Sequence, residues 1–173
     1  VPITGVDPEP LRVVVRSFRE AFPHTSIWYM SNRVNDFVIL VGTPGPLELD
    51  LETWSRRMAE PAVADDLRRV ELRDPYKLAC GLLLTEAEVD CFVGPGPLHT
   101  DDQPILDYLT HAGAYHDTLA ENLRALIACR ADGRDQVSSA PEGVAYDEFS
   151  TEWERWHRAV GHLLSGHAFY RAG

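Results

Sequence analysis

The chain has 173 residues, 45% of them hydrophobic and 25% charged, a balance that supports a packed core and leaves disorder to short segments. Its 16 basic and 27 acidic side chains give a formal charge of −11, which opposes binding to nucleic-acid phosphates and to anionic lipid. Lys77 is the one lysine and no glycine-rich loop precedes it, so phosphate cradling or Schiff-base chemistry would rest on Lys77 alone.

Asp7 followed by Pro8 reads as a helix start, and Leu11, Val14, Phe18 and Phe22 recur at helical spacing. An amphipathic helix is expected to run to about Phe22, where Pro23 ends it. Residues 26–30 and 37–41 are β-rich and are separated by polar Ser31, Asn32, Arg33, Asn35 and Asp36, which predicts a hairpin with both strands buried. A helix followed by two antiparallel strands is how a doubly wound α/β sheet ends when its last strand is inserted backwards. From 51 to 92 the pattern is helical throughout, with start signals at Pro61, at Asp74-Pro75 and at Thr85 with Glu88, so three or four short helices are expected. Gly94-Pro95-Gly96-Pro97 breaks both kinds of element and leads into a fixed loop, Leu98-His99-Thr100-Asp101-Asp102-Gln103-Pro104. Leu119, Leu123, Leu126 and Ile127 mark a further helix. Residues 131–146 are polar with Gly and Ser, which predicts a linker between a unit at 1–130 and a tail at 147–173. Phe149, Trp153, Trp156, Val160, Leu163 and Leu164 keep three- and four-residue steps, as one long amphipathic helix does.

The three cysteines, Cys80, Cys91 and Cys129, are too few and too widely spaced for a disulfide framework or a zinc knuckle, which makes the cytoplasm the expected location. No apolar run approaches the roughly 20 residues that span a bilayer, and no signal-peptide pattern opens the chain. Val1 at one end and a helix-like pattern cut at Gly173 at the other lead us to expect a piece of a larger protein.

From Val1 to about Cys129 the chain resembles the C-terminal portion of the bacterial spermidine synthase-like proteins. The landmarks are Val1-Pro2, the helix ending Phe18-Arg19-Glu20-Ala21-Phe22-Pro23-His24, and the strand through Trp28. The most specific is Pro97-Leu98-His99-Thr100-Asp101-Asp102-Gln103-Pro104-Ile105-Leu106-Asp107-Tyr108, in which the family more often has Asn where this chain has His99. The resemblance implies the C-terminal part of a methyltransferase-like doubly wound sheet followed by a mostly helical region. It implies a parent that moves an aminopropyl group from decarboxylated S-adenosylmethionine onto a small amine and often carries a region attached to the inner membrane. It also implies that the glycine-rich nucleotide loop, the acidic residue that holds the ribose and the aspartate that receives the amine lie upstream of Val1. The chain alone would then hold no catalytic residue and no cofactor. The Pro-Thr-Tyr-Pro-Ser-Gly stretch by which spermidine synthases shape the amine pocket is absent from the hairpin. At the other end Gly166, Phe169 and Gly173 have the frame of the first helix of a tetratricopeptide repeat, which implies a protein partner or further repeats.

Aminopropyl transfer needs an uncharged amine attacking a sulfonium-activated carbon, with carboxylates nearby to hold other ammonium groups and accept a proton. Asp101 and Asp102 on a Pro-bounded loop suit that task, and with Thr100, His99 and Tyr29 they form the expected substrate-binding set, Asp102 foremost. A structural role stands beside it: Thr100 or Asp101 caps the turn or helix begun by Pro104. On a regular strand Trp28 and Tyr29 face opposite sides, Trp28 towards the core and Tyr29 towards a ligand or helix. His111/His116, His157/His162 and His162/His167 are each five apart, about 140° around a helix, so they diverge and no metal site is expected. Cys80 and Cys91 sit in apolar helical surroundings, as small hydrophobes without a redox role. A second function class is a helical interaction module, because a lone helix cannot bury the stripe Phe149, Trp153, Trp156 and Phe169 against itself.

Overall fold

The computed structural model describes residues 1–31, 35–113 and 117–171, the side chains of 110–113 excepted. Asn32 and Arg33 of the expected hairpin connection, the imidazoles of His111 and His116, and Gly173 of the repeat-like frame lie outside the described residues.

Helix α1 spans Pro8–Ala21 and stops at Phe22, one residue before Pro23. Strands β1 (His24–Trp28) and β2 (Ile39–Thr43) pair antiparallel, with Trp28 opposite Ile39 and His24 opposite Thr43. This is the expected hairpin, but only β1 is buried as expected, and β2 is half-buried to exposed along its length because it lies at the sheet edge. The pairing is displaced by two residues away from the connection. The cause lies in other partners for the residues nearest the connection. Tyr29 N–H donates to Gly81 O at 2.8 Å, and Val38 exchanges hydrogen bonds with Val1 at 2.9 and 2.7 Å.

Strand β3 (Leu49–Asp50) runs directly into α2 (Leu51–Met58), followed by α3 (Pro61–Arg69) and α4 (Pro75–Ala79). Both later helices begin at their proline signals, and Asp74 caps α4 by accepting the N–H groups of Tyr76 and Lys77 at 2.8 and 3.2 Å. The purely helical expectation for 51–92 fails at Leu82–Leu84, which forms β4 and gives the antiparallel order β2-β1-β4. Three consecutive buried leucines carry no period that separates a buried strand from a buried helix, and the free edge of β1 decides the matter. Gly81 permits the approach, since a Cβ there would lie 2.6 Å from Tyr29 O. Helix α5 (Glu86–Val93) then starts at Thr85, whose N–H donates to the Glu88 carboxylate at 3.1 Å as the capping-box pattern predicts.

Past the loop at 94–104 come α6 (Ile105–Gly113) and α7 (Leu119–Ala128). The stretch at 131–146, expected as a linker, holds a 3-10 turn (Arg134–Gln136) and strand β5 (Val137–Ser139), which lies parallel to β3. Ser139 donates its hydroxyl to the Asp50 carboxylate, which also accepts Thr53 N–H at 2.9 Å; together these bonds hold the Asp50 pKa down to about 2. Helix α8 (Tyr146–Tyr170) is the long amphipathic helix expected, and it buries Phe149, Trp153, Val160, Leu164 and Ala168 in the same core as Ile27, Leu84 and Leu123. Residues from both sides of the expected boundary therefore share one core. The chain is α/β, with a small antiparallel sheet, a separate parallel pair and helices packed around them. Among the described residues no helix is long and apolar enough to cross a membrane.

Candidate functional site

The sequence stripe on α1 does not all face the core. Leu11 is buried, but Val14 and Phe18 line an open groove of about 620 Å³ together with Phe37, Ile39, His99 and Leu106. Phe22, the last member of the stripe, is 46% exposed and covers Gly42 of β2, where any Cβ would meet its side chain at 2.6 Å. Helix α1 and strand β2 make the floor of this groove, and the 94–104 loop supplies His99 at its wall.

That loop is held from α1. His99 N–H donates to Ser17 Oγ at 2.8 Å, and His99 Nδ1 accepts Leu106 N–H at 3.3 Å, which leaves the proton of the neutral ring on Nε2. Thr100 and Gln103 exchange backbone hydrogen bonds at 3.1 Å, and Thr100 Oγ1 also accepts Gln103 N–H at 3.1 Å. Thr100 thus closes a turn with its side-chain oxygen, but the turn spans Thr100–Gln103 and ends before Pro104 rather than being begun by it, and Asp101 and Asp102 form its exposed tip.

The deeper anchor is Arg16, which the sequence reading missed. Its guanidinium donates to Val93 O at 2.6 Å, Pro97 O at 2.8 Å and Gly94 O at 3.2 Å, so one buried cation holds the C-terminal carbonyls of α5 and the start of the loop. A Cβ on Gly96 would lie 2.6 Å from the guanidinium carbon, so glycine there makes room for Arg16. No sequence signal marks this anchor, because its acceptors are backbone carbonyls of Val, Gly and Pro.

Tyr29 lies in a different neighbourhood. It is fully buried, its hydroxyl accepts Asn35 N–H at 2.7 Å, and it lies 3.3 Å from Nδ1 of His167 on α8. Burial pushes its phenol pKa up, the Asn35 hydrogen bond opposes this, and the charge of Asp36 adds to it. His167 is itself buried, with Nε2 4.0 Å from Asp36 Oδ1, and its pKa is lowered first by burial and then by the Arg171 cation. The expected substrate-binding set is therefore split: His99, Thr100, Asp101 and Asp102 share the loop, whereas Tyr29 faces the helix α8. Trp28 is buried in the core as expected, its indole N–H donating to Ser26 Oγ at 2.9 Å.

Most of the aromatic stripe on α8 packs home. Phe149 stacks 5.8 Å from Tyr76 and 5.9 Å from Trp153, and Trp153 is fully buried with its N–H on Asp132. Trp156 donates to the helix-capping Asp74 at 2.9 Å and carries Lys77 and Arg155 over its ring. Phe169 is left 81% exposed. Cys80 is buried, which raises its thiol pKa to about 12, in line with the inert hydrophobe expected. Cys91 departs from that expectation: it is exposed, and its Sγ lies 3.5 Å from Sγ of Cys129. Among the described residues no cluster of His, Cys, Asp and Glu has the arrangement of a metal site. No family model, curated protein or solved structure matches the chain.

Proposed function

We propose that the chain is the C-terminal part of an aminopropyltransferase-like enzyme of methyltransferase-like fold, in which a preceding nucleotide-binding unit continues the sheet along β2. One observation carries this: among the described residues β2 is an edge strand of the antiparallel sheet, paired with β1 on one side, and it lies beside the apolar groove. Val1 and Pro2 pair antiparallel with Val38 and Phe37, so an extended segment entering at Val1 runs on along Ile39–Thr43. Backbone groups alternate between the two edges of a strand, so Leu40 and Gly42 face the same side as Val38. Strand β2 has none of the Lys or Pro residues that blunt natural edges, and Phe37 and Ile39 are 47% and 38% exposed beside it. Such an edge favours strand addition.

In this reading Asp101 and Asp102 stand exposed on the loop whose His99 and Leu106 line the groove, with Thr100 shaping the turn. Their carboxylates hold the distal ammonium of a small polyamine while its neutral nitrogen attacks the propyl carbon of decarboxylated S-adenosylmethionine. The C–S bond breaks, methylthioadenosine leaves uncharged, and the new ammonium gives up a proton. The nucleotide and the reacting amine belong to the preceding unit, so the chain alone is not catalytic. The test measures methylthioadenosine release from decarboxylated S-adenosylmethionine and putrescine, by the chain alone and by the chain joined to its preceding sequence. Release by the joined protein only is expected. Turnover by the chain alone, or a joined protein that neither turns over nor binds methylthioadenosine, refutes the proposal.

A further inference from the structure

Cys91 sits on the exposed side of α5 and Cys129 is the C-cap of α7, and their separation of 38 positions makes the 3.5 Å sulfur contact a tertiary one. A disulfide bond is about 2.05 Å long, so closing it needs the two sulfurs to approach by roughly 1.5 Å. The pair differs from Cys80, which is buried and inert. Arg12 reaches the same surface, donating from Nε to Phe92 O at 3.2 Å with its guanidinium 5.7 Å over the Phe92 ring, and its charge favours the Cys129 thiolate while Glu88 opposes it. Burial and the contact with Cys91 both push the Cys129 thiol pKa up, so the exposed Cys91 meets an oxidant first and Cys129 follows.

We propose that Cys91 and Cys129 form a reversible redox modification site, a dithiol that small disulfides convert into a covalent bridge between α5 and α7. The Cys91 thiolate attacks one sulfur of a disulfide R–S–S–R and expels one thiolate. The Cys129 thiolate then attacks the Cys91 sulfur of the mixed disulfide and expels the second. The two protons lost by the cysteines go to the two leaving thiolates, so one protein dithiol and one R–S–S–R become one protein disulfide and two R–SH. The bridge closes a chain segment that contains the whole 94–104 loop, and it stands independently of the transferase proposal.

The test treats the reduced chain with about 1 mM oxidised glutathione, blocks remaining thiols with iodoacetamide and maps the peptides by mass spectrometry. The expected product is the intramolecular Cys91–Cys129 disulfide, exceeding glutathione adducts on either residue by at least roughly tenfold, since a thiol already in contact acts at a far higher effective concentration than the free tripeptide. Dithiothreitol restores both thiols, and Cys80 is alkylated only after unfolding. In Cys129→Ser, Cys91 stops at the glutathione adduct, and in Cys91→Ser, Cys129 stays largely reduced. Separate adducts accumulating on both cysteines of the unchanged chain, bridges between chains, or an unmodified Cys91 would each overturn the proposal.

Discussion

Replacing Arg16 with Met keeps the aliphatic stem and removes the guanidinium that holds Val93, Gly94 and Pro97. Hydrogen bonds to a charged group contribute about 1.5–3 kcal/mol each, but these three share one cation whose own burial opposes them. The carbonyls of Gly94 and Pro97 also regain water once the side chain is gone. The net loss is therefore expected near 2–4 kcal/mol rather than the sum of three bonds, and Glu9, half exposed at 3.5 Å, adds little. For a chain of this length that lowers the melting temperature by roughly 5–15 °C. Gly96→Ala supplies the cross-check, because its Cβ would sit 2.6 Å from the guanidinium carbon and displace Arg16. It should cost stability in the natural chain and much less in the Arg16→Met background, a coupling of about 1–2 kcal/mol in a double-mutant cycle read by guanidinium denaturation. Additivity within about 0.5 kcal/mol, or an Arg16→Met chain within about 1 kcal/mol of the natural one, would refute the anchor.

Trp153→Ala empties a fully buried site and is expected to cost about 3–5 kcal/mol, measured by denaturant midpoint; a surface-like loss below about 1 kcal/mol would show that α8 does not share the core. His157 and His167 both have pKa values lowered, first by burial, from the ordinary 6.5. The unfolded chain therefore binds more protons as pH falls through 6.5, so stability is full above about pH 7 and declines towards pH 5, less steeply in His167→Gln; stability that stays flat or increases as pH falls from about 7 to 5 would contradict the burial. Thr100→Ala removes the turn's side-chain acceptor and is expected to cost about 1 kcal/mol, whereas Asp102→Asn leaves the melting temperature unchanged and weakens amine binding by the joined protein. Unchanged amine binding in Asp102→Asn would make the loop a structural staple only.

The helix starts were legible in the sequence because a cap or a proline acts within one turn. Pro8, Pro61, Asp74-Pro75 and Thr85 with Glu88 all begin helices where they were read. The Pro-bounded loop of His99 to Asp102 was legible for the same reason, since glycine and proline terminate elements wherever they occur. Tertiary structure alone decided the rest. It made Leu82–Leu84 a strand because β1 had an edge to fill, and it turned a polar stretch into β5 because β3 lay beside it. It split Tyr29 from the loop by closing α8 over it, and it left Val14 and Phe18 at a groove rather than in the core. It joined Arg16 to Gly94 and Cys91 to Cys129 across 78 and 38 residues. In each case the deciding partner is distant in the chain and acts through backbone groups or mere proximity, which leave no mark on the residues that will meet.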